Sequence, residues 1–380
     1  MRILLFSIIV ISFIGCTSNS PRLDRVTASE RERILDSSNL FPGKDLIAEL
    51  PTEDIFQLTD DMKDFVEQKV SGLSGDDRRV RAILRSLLSK DSLNLKYDER
   101  ASFTAEETFR EGRANCLSFT TLIVPMLRYL GIKVEFNEVD VPPIWDLQNN
   151  NMVVLYEHVN AVVTKSSGKQ EVLDINMDEY ELHYPQHVIS DKVVEAHFYN
   201  NRGMEFMLKE DYYQSFRYLR KAIELAPQLP FVWTNLGIVY RELDRFDDAE
   251  IAFRIALEYE PDNLVAISNA ARNYRNLNNL QLAEIFSQRA DYYRNKNPYY
   301  RYYVAVESVL AGDYETALKN INTAISRYKN EHRFYFLQGV IYKALQENKK
   351  AESSFSKALE MAEDDKDEKR YRGKMEKLML

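Results

Sequence analysis

The sequence predicts an α+β domain followed by an all-α solenoid, and three stretches carry that prediction. An apolar run with helical spacing occupies 116–130, period-two patterns follow it between 132 and 176, and from about residue 196 the chain repeats itself every 34 residues. The first two describe a helix laid against strands. The third describes like units, each of which buries its apolar face on the next. At 380 residues the chain exceeds what one core usually holds, and its 45% hydrophobic content is that of a soluble protein. A formal net charge of −9 with no basic run argues against nucleic acid as a partner.

The N-terminus reads differently from the rest. Arg2 precedes an apolar run from Ile3 to Ile14, then Gly15 and Cys16. A bilayer span needs about 20 residues, so this run fits a secretory signal better. Phe13-Ile14-Gly15-Cys16 resembles the lipobox of bacterial lipoproteins, with Phe13 where Leu is usual. That resemblance implies that 1–16 is a lipoprotein signal peptide and that Cys16 is lipidated and becomes the mature N-terminus. An ordinary cleaved signal is the alternative. Thr17, rather than Asp, after the cysteine implies an envelope protein of the outer membrane facing the periplasm, if the source is Gram-negative. The chain has two cysteines, so lipid on Cys16 leaves no intramolecular disulfide. A single thiol kept in an oxidising compartment is either used or fully buried. Residues 17–50, with Pro21, serines and mixed charge, read as a tether from membrane to fold.

Within 51–195, Thr59 to Val70 and Asp76 to Leu88 read as amphipathic helices, the second with Val80, Ile83, Leu84, Leu87 and Leu88 on one face. Gly112 then opens a loop in which Asn115 is a helix cap, and Cys116 is the first helical residue. Leu117, Phe119, Leu122, Ile123, Met126, Leu127 and Leu130 continue that helix with one buried face; Pro125 kinks it and Gly131 ends it. Ile132, Val134, Phe136, Val139 and Val141 form a strand that stops at Pro142-Pro143. Runs 152–164 and 170–176 are two more strands around the turn Lys165-Ser166-Ser167-Gly168-Lys169, with His158 on the first and Asp174 on the second. A loop of three or five residues puts the two on one face, opposite or diagonal; a loop of four puts them on opposite faces.

A helix N-terminus offers unpaired N–H groups and the positive end of the macrodipole, both of which favour thiolate over thiol. Cysteine at a helix start, histidine on a strand and aspartate on the next, in GRANCLSFTTL, EHVNAVV and VLDIN, resemble the bacterial transglutaminase-like (papain-like thiol) superfamily over roughly 51–195. The resemblance implies a papain-like α+β fold with Cys116 as nucleophile, His158 as general base and Asp174 orienting the imidazole. It also implies acyl-transfer chemistry at an amide, since the superfamily holds transglutaminases, peptidases and amidases together with members lacking demonstrated activity. Physical reasoning supports the same roles, with the Cys116 N–H as an oxyanion donor; Asn115 and Arg113 stand near, but nothing orients either as a second donor. The competing reading is an inert core cysteine. His183, His187 and His197 follow the strands and His332 lies far along, so another histidine is an alternative base. Only His183 and His187 have i, i+4 spacing and no ligands accompany them, so neither a metal nor a cofactor is expected.

In the second half, Trp233-x2-Leu236-Gly237-x2-Tyr240, then Ala249-x3-Phe253, Ala256 and Pro261, match the tetratricopeptide (TPR) pattern. Steps of 34 place small residues at Gly203, Gly237, Ala271, Ala305 and Gly339, and again at Ser215, Ala249, Ala283, Ala317 and Ala351. Five repeats therefore start at 196, 230, 264, 298 and 332 and fill 196–365, leaving 366–380 as a charged, solvated cap. The groove positions of such a solenoid fall on Asn200, Thr234, Asn235, Ser268, Asn269, Arg272 and Arg275, which suit the backbone and carboxylates of an extended peptide. A solvated face without ligand is the alternative. The lysines of the family's carboxylate clamp are absent and Met204 stands where it has asparagine, so capture of a C-terminal carboxylate is not implied. Tyr299, Tyr300, Tyr302 and Tyr303 should divide between core and surface.

Two functions fit these features. One is a lipid-anchored thiol acyl-transfer protein whose repeats recruit a peptide or protein; the other is an inactive transglutaminase-like scaffold for interactions in the cell envelope.

Overall fold

A computed structural model describes residues 24–36, 38, 40–43, 50–141, 144–146, 152–154, 157–165, 167–176, 184–362, 369, 371–373 and 375. Cys16 and the rest of the expected signal peptide lie outside them, as does His183. The first half contains α1 (Ala28–Leu35), α2 (Asp60–Val70), α3 (Asp76–Leu88), β1 (Lys96–Tyr97), α4 (Ala105–Glu111), β2 (Arg113–Ala114), α5 (Cys116–Tyr129), β3 (Val134–Asp140), β4 (Ile144–Asp146), β5 (Met152–Val154), β6 (Glu157–Thr164), β7 (Gln170–Leu173) and β8 (Gln186–Ile189).

Helix α5 starts where the sequence put it. The Asn115 side chain accepts from Ser118 N at 2.8 Å, satisfying one of the amides a helix start leaves open. The helix runs through Pro125 to Tyr129, and Gly131 beyond it takes a left-handed φ of 73°. It is buried on more than the single face expected: Ser118, Thr120, Thr121 and Val124 are covered along with the large apolar residues. The hydroxyls tolerate this because each is bonded, Ser118 to Ala101 O at 2.6 Å, Thr120 to Cys116 O at 2.7 Å and Thr121 to Ser118 O at 3.0 Å. Helices α2, α4 and the sheet pack around α5.

The main sheet has the order β7-β6-β3-β8, antiparallel throughout. The stretch 152–164 is two strands: β5 pairs with β4 in a separate hairpin, whereas β6 joins β3 and β7. Thr164 faces Gln170 across the β6–β7 turn, so its loop is the five residues 165–169.

Five helix pairs follow: α6 (Asp191–Leu208) with α7 (Tyr212–Leu225), α8 (Pro230–Glu242) with α9 (Phe246–Tyr259), α10 (Leu264–Asn276) with α11 (Leu280–Lys296), α12 (Pro298–Leu310) with α13 (Tyr314–Arg327), and α14 (His332–Ala344) with α15 (Asn348–Met361). The turn within each pair repeats too. Glu210, Asp244, Asn278, Gly312 and Gln346 all have positive φ, spaced 34 apart. Where the two helices cross, three of the five pairs have glycine. Gly203, Gly237 and Gly339 lie against Leu219, Phe253 and Phe355, and a Cβ built on Gly237 would come within 2.5 Å of the Phe253 ring. The equivalent positions opposite Ser287 and Ile321 hold alanine instead, at 271 and 305. Tyr299 and Tyr302 join the core by packing on Phe334, each with ring centroids 5.3 Å away.

Two expectations about organisation are corrected and one is refined. The stretch 17–50 is not all tether: α1 lies on α9, with Ile34 fully buried, and is held by Arg31–Glu258 at 3.1 Å, Arg33–Asp248 at 3.2 Å, Arg254–Glu30 at 3.3 Å and a Tyr240 hydroxyl donating to Ile34 O. These partners lie more than two hundred residues away, beyond the reach of a local reading. The expected start of the repeats at 196 lies within one continuous helix, α6, whose Asp191 pairs with Arg128 of α5 while its later turns pack on α7, so the core of the first half continues through the first three repeats, and the fourth and fifth hold a cluster of their own. The C-terminal stretch is more than a solvated cap: Tyr371 is buried, stacked on Phe336 at 4.4 Å, with its hydroxyl 2.5 Å from His332 Nδ1.

Gly237→Ala is expected to force its new methyl into the Phe253 ring and destabilise the fold by about 1–3 kcal/mol. Urea unfolding of the two proteins measures this, and Ala271→Gly, opposite a small side chain, should cost no more than about 1 kcal/mol, the price of added backbone freedom.

Candidate functional site

The register explains how two strands and a helix end meet. His158 lies opposite Val139 of β3, and the β6–β7 ladder pairs Ala161 with Leu173. Continued by one residue, that ladder sets Asp174 opposite Asn160 and so diagonal to His158 on the same face. The imidazole Nε2 is 2.5 Å from Asp174 Oδ2, and both side chains are almost wholly buried. Asp174 Oδ1 accepts from the amide of Asn176 at 3.0 Å. With Nε2 taken, Nδ1 is left for Cys116, and ligand atoms of Cys116, His158 and Asp174 lie within 4.8 Å of one another. Cys116 is half-buried as a residue, and within this cluster it is enclosed together with His158 and Asp174. Three donors this close could hold an ion, but two of them are already bonded to each other, which suits proton transfer better.

The electrostatics agree with the geometry. Burial disfavours the charged imidazole, yet its hydrogen bonds to Asp174 and Cys116 and their charges outweigh it, and the His158 pKa rises from 6.5 to about 10. A cation is thereby held beside the thiol.

Around this centre stand residues that sequence reasoning missed. A loop at 101–103 covers the start of α5, where Ser118 Oγ accepts from Phe103 N at 2.7 Å and Asn115 Nδ2 donates to Ser102 at 3.4 Å. Beside His158 a chain of amides crosses the sheet from buried Asn160 and Asn137 to exposed Gln186: Asn137 Nδ2 donates to Asn160 Oδ1 at 2.9 Å and to Gln186 Oε1 at 3.0 Å. The only signal for it in the sequence is an asparagine in the middle of each of two apolar strands.

The other histidines do different work. Glu138, on the opposite face of β3 from Val139, sits 3.0 Å from both His187 Nε2 and His197 Nε2. Burial would raise its pKa, but the bond to His197 and the charges of the two histidines prevail and lower it. His197 also stacks on Phe231 of the second repeat at 4.9 Å, so this cluster joins sheet to solenoid. A second joint lies at the far end, where Arg333, doubly bonded to buried Glu331, donates to the Tyr184 hydroxyl at 2.7 Å. His332 is bonded to Tyr371.

Of the seven expected groove residues, several bond to one another or to their own helix. Asn235 Nδ2 donates to Asn200 Oδ1 at 2.8 Å, tying α8 to α6, and Asn269 Oδ1 accepts from Arg241 at 2.7 Å. Thr234 is a correction: it is buried, its hydroxyl satisfied by Pro230 O at 3.0 Å, which lets it enter the core. Arg275 is exposed, and its guanidinium donates to Ser287 of α11 at 2.7 Å. Ser268 is half-buried, and Arg272 is exposed with no hydrogen-bond or ion-pair partner among the described residues. Arg241, which was not singled out, is nearly buried; its pKa is lowered by that burial and then by the charge of Arg272.

Comparison with known proteins bears on the second half. Residues 230–263 match one tetratricopeptide repeat model, and 196–229 and 332–365 match another. These segments are tetratricopeptide repeats. The TPR region is an all-α solenoid of the kind associated with protein–protein interaction. A curated relative, anaphase-promoting complex subunit 3 of Schizosaccharomyces pombe (strain 972 / ATCC 24843), is 29% identical over 158 residues, which are 42% of this chain and 24% of that protein. The chain thus spans about a quarter of that relative's length. Similar solved structures include MamA protein, at 20% identity and TM-score 0.25 over 44% of this chain and 91% of that one. Another is YrrB, described as a TPR protein with an unusual peptide-binding site, at 20% identity and TM-score 0.25 over 47% and 92%.

Because its pKa is raised in the fold, His158 contributes stability that is complete below pH about 6.5 and is lost as pH climbs toward about 10. The stability gap between the wild type and His158→Gln should accordingly be widest near pH 6 and narrow toward pH 10, read by urea unfolding across that range.

Proposed function

We propose that the protein recruits a peptide or protein through its TPR solenoid and acts on an amide of that partner through Cys116. The observation that carries the chemistry is the buried contact between His158 and Asp174 within reach of the Cys116 thiol at a helix start. In such a site the Cys116 thiolate attacks the amide carbon and the Cys116 N–H faces the developing oxyanion. The imidazolium of His158 then gives its proton to the leaving nitrogen as the C–N bond breaks, leaving a thioester and a neutral imidazole. Water or an amine, deprotonated by that imidazole, attacks the thioester and releases the thiol, so the outcome is hydrolysis or transfer. Unpaired Arg272 beside Arg241 adds positive charge that suits carboxylates on the recruited chain.

Anchoring belongs to the same reading. The lipobox-like Phe13-Ile14-Gly15-Cys16 supports an exported protein held to a membrane by lipid on Cys16. No helix among the described residues is long and apolar enough to cross a membrane. A second reading, an inactive transglutaminase-like scaffold, draws on the repeat matches, which speak for interaction alone.

Alkylation separates the two. Cys116 should react with iodoacetamide well below neutral pH, and His158→Ala should slow that reaction on the order of tenfold or more. Cys116→Ala should abolish acyl transfer while leaving partner capture intact. A wild-type thiol as slow as an ordinary one at every pH leaves the scaffold. Mass spectrometry of the mature protein is expected to find acylated Cys16 at its N-terminus, and an unmodified or absent Cys16 would remove the anchor.

A further inference from the structure

The solenoid is divided between two hydrophobic cores. The buried cluster that begins in the first half continues through the first three repeats to Ala290 of α11. Ala305, Ala317, Ile321, Ala324, Phe334 and Ile341 form a separate cluster in the fourth and fifth repeats, and no buried residue among those described belongs to both. The sequence explains where the division falls. Pro227 and Pro261 stand just past the ends of α7 and α9, each 14 residues long, but the next position at the 34-residue step is Asn295. With no proline to stop it, α11 runs on to Lys296, a length of 17 residues. A single residue, Asn297, then closes α11 and caps α12, its side chain accepting from Tyr299 N at 2.8 Å.

The extra turn of α11 lies largely outside the core: Tyr292 is exposed, and Lys296 sits over its ring at 4.3 Å. Helix α12 correspondingly buries Ala305 alone, where its counterpart α8 buries seven residues. Arginines make the bonds that cross the junction. Arg301 Nε donates to Asn295 O at 3.2 Å, Arg327 donates to the same carbonyl, and the Arg294 guanidinium lies 5.9 Å from the Tyr300 ring. Each unit of a repeat array is held by its own stability and by the interface with its neighbour, so a thin interface lets the units beyond it open as a body. Here that body is tied back at its far end. Arg333, paired with buried Glu331, donates to the Tyr184 hydroxyl at 2.7 Å, and Tyr184 packs with Val139 of the sheet.

We propose that the fourth and fifth repeats, α12 to α15, form an arm that swings about the α11–α12 junction, with the Arg333–Tyr184 bond as its latch. Latched, the arm fixes the curvature of the concave face; released, it turns about Asn297 and opens that face at one end. The inference stands on the fold alone, independent of the thiol chemistry and of the recruiting role.

Tyr184→Phe keeps the ring and removes the latch. Two measurements on the full chain read its effect: hydrogen exchange followed by mass spectrometry in low urea, and small-angle X-ray scattering. In the wild type the amides of α12 to α15 should exchange together, at lower urea than those of α6 to α11. Tyr184→Phe should speed exchange in the first set about tenfold, the effect of one lost bond to a charged donor, and leave the second set unchanged. The same substitution should enlarge the radius of gyration. Exchange of all ten helices in one step, equal acceleration of both sets, or an unchanged radius of gyration overturns the proposal. If Tyr184→Phe does not fold, Arg333→Lys keeps the charge beside Glu331 while withdrawing the donor from Tyr184, and is read in the same way.

Discussion

Burial of α5 on nearly every side fixes the point in space at which its first residue stands. Phe119, Leu122, Ile123, Met126 and Leu127 are all fully covered, so the helix can neither slide nor roll without opening a cavity in the core. Its start is clamped as well, by the Asn115 cap and by Ser118, whose hydroxyl gives to Ala101 O and takes from Phe103 N. Thr120 reaches across to Val159 O at 3.2 Å and so pins the helix to the strand that carries His158. A thiol at the end of such a helix meets an imidazole on such a strand with little conformational freedom left to either.

The same rigidity passes to the solenoid. Helix α6 is the last element of one half and the first of the other, and no hinge is available inside a packed helix. Glu138 with His197 and Phe231 joins sheet to solenoid at its near end, and Tyr184 with Arg333 joins them at its far end. Tyr184 packs with Val139, the residue directly across from His158. The fifth repeat is therefore linked to the strand that carries His158 through two intervening residues, Tyr184 and Val139, although more than 170 residues separate Arg333 from His158 along the chain.

Much of this was legible in the sequence because it is periodic or local. The 34-residue step gave all five helix pairs their register, including the two pairs outside the matched segments, since each small residue answers a neighbour at fixed spacing. The start of α5 was readable from Asn115 and Gly112. The hairpin was readable up to the parity of its loop, which no propensity decides. What escaped depends on distant partners: β8 is four residues whose only reason to be a strand is β3, and α1 is a helix with a weakly apolar face completed by α7, α8 and α9. The groove expectation fails at Thr234 because a repeat position fixes the Cα, not where a hydroxyl finds its bond.

The seat of α1 also bears on the order of events during synthesis. Its partners Tyr240, Arg254 and Glu258 are made more than two hundred residues after it. At ordinary rates of elongation the segment waits some tens of seconds before its binding surface exists. Through that interval Ile34 has no core to enter, and the helix is too short to persist on its own. The first helix among the described residues is thus among the last to settle, and the second repeat must be built before α1 can dock.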